Sequence, residues 1–72
     1  MLEQKHLDEI ADGVFNGYRA GSEAFDQMSF EEVCDWVAQD LEYIKPNEHL
    51  EQWQYNRIKE QVDFLEWRLS YA

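Results

Sequence analysis

The sequence predicts an all-α fold, a small three-helix bundle with a long C-terminal helix. Three observations carry that expectation. Apolar residues recur at three- and four-residue steps through three separate stretches of the 72-residue chain. Ser29 and Glu32 stand in the S-x-x-E spacing of a capping box. Pro46 then interrupts the pattern before the last stretch begins. A chain this short makes a single domain, 1–72. The helices are expected over about 2–20, 30–44 and 48–71.

In the first helix Leu7, Ile10, Ala11, Val14, Phe15 and Tyr18 share one face, and Lys5, Glu9, Asp12 and Asn16 lie opposite. Gly21 is a natural C-terminal stop. Gly13 and Gly17 each cost a helix about 1 kcal/mol relative to Ala. Their four-residue spacing offers a smooth flank where another element can come close. The connection "GSEAFDQM" is polar and short, and Phe25 is expected to fold back onto the core.

The second helix has the clearest start. Ser29 is the N-cap with Glu32 at the N3 position, and Met28 and Val33 form the matching hydrophobic staple. Phe30, Val33, Cys34, Val37, Leu41 and Ile44 make one apolar face. Trp36 and Tyr43 are seven residues apart, so on a continuous helix they share a side well away from that face.

Asn47 is expected to cap the third helix, which would run to Tyr71 and span about 35 Å. Tyr55, Ile58, Val62, Leu65 and Leu69 follow the 3-4-3-4 spacing of a coiled-coil seam. Leu50, Trp53, Phe64, Trp67 and Tyr71 form a second stripe, about 160° from the first. One stripe is expected to close the core and the other to bury against a second copy or a partner, with a homodimer the leading expectation. Oligomerisation would also help a domain too small to bury a large core.

Composition narrows function by exclusion. Sixteen acidic residues against 6 basic ones give a formal charge of −10. Such a chain repels nucleic acid and anionic membrane and favours basic surfaces. No apolar run approaches the roughly 20 residues that span a bilayer. The opening "MLEQKHLDEI" lacks the apolar core of a signal peptide. With a lone cysteine this points to a reducing cytoplasmic, intracellular setting.

No residue pattern suggests catalysis, and no cofactor or metal is expected. There is no Gly-rich phosphate loop and no C-x-x-C. Glu31 and Glu32 suit the first turn of a helix, where they meet exposed N–H groups and the positive end of the dipole. Cys34 lies within the apolar face and reads as a small buried hydrophobe. His6 and His49 lack a second strong ligand on the same turn and read as solvated. Arg57 and Arg68, flanking the last helix with Gln54 and Gln61, are expected to pair with the acidic helices.

Residues 20 to 44 hold Glu23, Asp26, Glu31, Glu32, Asp35, Asp40 and Glu42 with no Lys or Arg. Aromatics off the core face and ringed by acids are typical anchors for protein partners. The candidate partner-binding set is therefore Asp35, Trp36, Asp40, Glu42 and Tyr43. The candidate oligomer interface is the stripe Leu50, Trp53, Phe64, Trp67 and Tyr71.

These features lead to a small, non-enzymatic binding protein that inhibits or modulates a larger, basic-surfaced protein, which could itself bind nucleic acid. A DNA mimic filling a nucleic-acid groove is the first alternative. A structural adaptor acting through helix-mediated oligomerisation is the second. No motif places the chain in a named family. In size, acidity and lack of catalytic residues it resembles the small acidic inhibitors made by phages and mobile elements. These include anti-CRISPR proteins and anti-restriction DNA mimics.

Overall fold

Ser29 caps its helix from the position the sequence predicts. Its backbone is extended, its Oγ accepts the Glu32 N–H at 3.2 Å, and its hydroxyl reaches back to the Glu32 carboxylate at 3.3 Å. In the computed structural model, which describes residues 2–19, 21 and 23–71, this is the third of four helices. They are α1 (Gln4–Arg19), α2 (Glu23–Asp26), α3 (Phe30–Asp40) and α4 (Gln52–Tyr71). The single turn α2 belongs to the segment expected as a connection. The main architecture is the all-α three-helix fold that the periodicity predicts. The expected end of the first helix at Ala20 lies outside the described residues.

α1 is central and packs along α4 on one side and on α3 and α2 on another. Gln4 is bonded to Arg57 at 3.0 Å, and Leu2 shares a cleft with Trp53 and Gln54, so α1 and α4 begin at the same end. The core joins Leu7, Ile10, Ala11 and Val14 of α1 to Phe25, to Val33, Cys34, Val37 and Ala38 of α3, and to Leu50, Ile58 and Val62. Burial of these side chains is the main stabilising term, at about 25 cal/mol per Å² of apolar surface.

The two helical glycines permit this packing. A Cβ on Gly13 would stand 2.7 Å from Val37 Cγ1, and one on Gly17 would stand 1.7 Å from the Phe25 ring. Their flank is where α3 and α2 close onto α1, as the spacing suggested.

Two helix limits differ from expectation. α3 ends at Asp40 rather than near Ile44. Glu42 takes a left-handed conformation at φ 64°. Its N–H donates to the Gln39 carbonyl, and that of Tyr43 donates to the Ala38 carbonyl. This is a Schellman termination with Glu where Gly is usual. α4 begins at Gln52 rather than after Asn47. Glu51 acts as its N-cap: its carbonyl accepts the Tyr55 N–H, and its N–H donates to Gln54 Oε1 at 2.8 Å. Residues 41–51 form a non-helical connection pinned by α3. Gln39 Nε2 donates to the Pro46 and Glu48 carbonyls, each at 3.2 Å.

Candidate functional site

Exposed aromatics and carboxylates meet where α2 and α3 lie against the end of α1. Because Gly17 has no side chain, the buried Phe25 ring lies directly on α1. The ring then serves as a base for two others. Tyr18 meets it edge-on at 5.6 Å and 69°, and Trp36 at 5.4 Å and 81°. Trp36 remains 50% exposed and Tyr18 37% exposed. The three rings form a ledge with a buried middle and solvent-facing ends.

Carboxylates surround that ledge. Glu23, Asp26, Glu31, Glu32 and Asp40 are exposed. The Tyr18 phenol is raised above its ordinary pKa, first by burial and then by the neighbouring acidic groups Cys34, Asp26 and Glu31. Asp40 sits in the last turn of α3, which carries no basic residue. An acid there opposes the helix dipole.

Asp35 does not belong to this surface. It was expected among the partner-binding residues, but it is 9% exposed and supports the 41–51 connection. Its Oδ1 accepts the Leu50 N–H at 3.0 Å and the Tyr55 hydroxyl at 2.7 Å, and its Oδ2 meets His49 Nδ1 at 2.9 Å. Burial, followed by the bond to Asp35, pushes the Tyr55 phenol well above its ordinary value. His49, expected to be solvated only, has an exposed ring that is nonetheless held through Nδ1. The sequence gives one signal for Asp35: it directly follows the core residues Val33 and Cys34, at the edge of their face.

Tyr43 and Trp36 are not brought together. α3 has ended before Tyr43, and the left-handed Glu42 turns the chain toward α1. There the Tyr43 hydroxyl donates to the Glu9 carboxylate, and its ring lies 4.8 Å from that of His6. The bond to Glu9, with smaller contributions from burial and the Glu9 charge, raises the Tyr43 phenol pKa. Glu42 is exposed beside it, on the rim of a cleft of about 650 Å³ that Leu2, Tyr43, Ile44 and Trp53 also line. Two other acids on this rim are already engaged. Glu48 accepts the Lys45 N–H at 2.7 Å, and Glu51 accepts the Trp53 indole N–H at 2.7 Å.

The second stripe of α4 divides. Leu50 precedes the helix and is buried in the core, so it is not an oligomer-interface residue of the exposed kind expected. Its burial follows from the bond that Asp35 makes to its backbone. Trp53, Phe64 and Trp67 do face outward, at 47%, 47% and 56% exposure. Phe64 and Trp67 stack on each other at 6.1 Å and 25°. The side chain of Tyr71 lies outside what the structure describes. Arg57 donates to Gln4 Oε1 rather than to an acidic helix.

Cys34 is fully buried, as its place in the apolar face predicts, and burial pushes its thiol up to about 12, with Asp35 and Glu31 adding to the effect. A thiol this hard to ionise is a poor nucleophile. Among the described residues no group of three or more His, Cys, Asp or Glu is arranged to hold a metal ion. No helix among them is long and apolar enough to cross a membrane. No family model, curated protein or solved structure matches this chain.

Proposed function

We propose that this chain is a small non-enzymatic binding protein that inhibits or modulates a larger, basic-surfaced protein, and that it works as a homodimer. The observation that carries the reading is the Tyr18–Phe25–Trp36 ledge among exposed carboxylates. Rigid, half-exposed aromatics lose little freedom on binding and dominate interface hot spots. The carboxylates around them steer a cationic surface inward and raise its association rate. Asp40 and Glu42 support the reading further. One opposes the α3 dipole and the other holds a left-handed backbone, so neither acid is placed to stabilise the fold. An inhibitor of a host or defence protein of the kind phages carry, including anti-CRISPR proteins, fits this surface.

The test is capture of a partner from host lysate by wild type and by a variant carrying Glu31→Lys, Asp40→Lys and Trp36→Ala, with Asp35 left intact. The wild type should capture one basic protein, with an association rate that falls steeply as salt rises. The variant should lose it while keeping its helical circular dichroism. Equal capture by both would sink the reading. Competition of duplex DNA for the captured protein separates a nucleic-acid mimic from a plain binder.

A further inference from the structure

The last two turns of α4 carry a different kind of surface. Phe64, Trp67 and Leu69 are about half exposed, with Phe64 and Trp67 already stacked. The chain positions 53, 57, 60, 64, 67 and 71 repeat at four- and three-residue steps, which is the seam of a coiled coil. This seam lies about 160° around the helix from Ile58 and Val62, which face α1. At its start the seam meets α1, through Arg57 and Gln4, so a second helix has its open ground on the last two turns.

Charge selects the occupant. Half of the chain's 6 bases fall between residues 57 and 68, as Arg57, Lys59 and Arg68, against the acids Glu60, Asp63 and Glu66. Three against three makes this segment neutral in a chain of −10. It has no net field to draw in a cationic protein, and two such chains repel each other little there. The flanks add direction. Asp63 immediately precedes the seam residue Phe64, and Arg68 immediately follows the seam residue Trp67. In a parallel pair, opposite flanks of the two helices meet, and a residue faces one five positions later in its neighbour. Asp63 then meets Arg68 of the other copy, twice by symmetry. An antiparallel pair would put each flank against its own kind. Among the described residues Asp63 meets Lys59, at 3.5 Å and largely exposed, so that contact is weak and exchangeable.

We infer that a second copy of this chain packs parallel to the first along the last two turns of α4, with Phe64 and Trp67 in the seam and Asp63 of each copy paired with Arg68 of the other. This rests on the self-pairing proposed above and gives it a face, a direction and a register. Glu60 and Arg57 occupy the next seam positions, which confines the apolar contact to those two turns.

Sedimentation equilibrium of the full chain across a wide concentration range tests the inference. The wild type should form a reversible dimer. The Phe64→Glu/Trp67→Glu double variant should raise the dissociation constant at least about tenfold with helical content unchanged. Asp63→Arg and Arg68→Glu should each weaken the dimer roughly threefold to tenfold. Combining those two reversals should restore it to within about twofold. The charge series does not depend on how well the double variant folds. A strict monomer at every concentration would overturn both the self-pairing and this face. A dimer unmoved by the Phe64/Trp67 changes would overturn this face alone. Single reversals that weaken a dimer their combination fails to restore would overturn the parallel register.

Discussion

The acidic flank of α2 and α3 and the last two turns of α4 both present aromatic rings to solvent, in opposite electrostatic settings. At the flank, Tyr18 and Trp36 stand over a buried Phe25 and are surrounded by acids of one sign. On α4, Phe64 and Trp67 stack on each other among balanced charges. In the proposed reading, exposed aromatic area is where a partner docks. The charge around it says what kind of surface that is. The two regions also differ in support, because the ledge is built on the core through Gly17 and Phe25, whereas Phe64 and Trp67 stack on each other.

The sharpest way to test that contrast is to remove the carboxylate that lies within the acidic stretch yet outside its surface. Asp35→Ala leaves the Leu50 N–H and the Tyr55 hydroxyl without their acceptor and should lower stability by about 3 kcal/mol in urea denaturation. Asp40→Ala should change stability by less than about 0.5 kcal/mol. Similar losses from the two would erase the distinction between structural and surface acids.

Gly17→Ala should follow in size. Ala favours helix by about 1 kcal/mol, but its methyl would occupy the space of the Phe25 ring. We expect a net loss of about 2 kcal/mol, with a shift in Trp36 fluorescence as the ledge moves. Self-association should be untouched, because the proposed α4 seam faces away from the core that Phe25 joins. A variant as stable as the parent would show that the ledge is not built through this contact.

Glu42→Gly should give the smallest effect, with the opposite sign. Removing the side chain from a left-handed residue should raise stability by about 1 kcal/mol, read as a higher melting temperature. If salt-dependent partner capture survives this change, the acidic surface ends before Glu42.

Features encoded within a few residues were legible in the sequence. The start of α3 depends on Ser29 and Glu32, three positions apart. The core face of α1 depends on periodicity alone. The close approach at Gly13 and Gly17 follows from the absence of two side chains. Features that depend on distant partners were hidden. Asp35 has its role because Leu50 and Tyr55 come to it from 15 and 20 residues away. Asn47 is a good cap by composition, but the chain turns at 46–47 and stays non-helical through Leu50, whose N–H is held by Asp35, so Glu51 caps α4 instead. Tyr43 leaves the side it would share with Trp36 because Glu42 accepts a conformation that its side chain disfavours. At the candidate site, the acids and Trp36 could be read from the sequence, and the ledge beneath Trp36 could not.

Buried Cys34 turns the protein into its own gauge. With no exposure and a thiol pushed up to about 12, it should react with an alkylating reagent only when the bundle opens. As the chain's one cysteine, it makes the modification rate a direct clock of opening events, with no label introduced. Any ligand that binds only the closed form slows that clock in proportion to its saturation. One mass measurement over time could thus rank the affinities of a basic partner and of a second copy on the same scale.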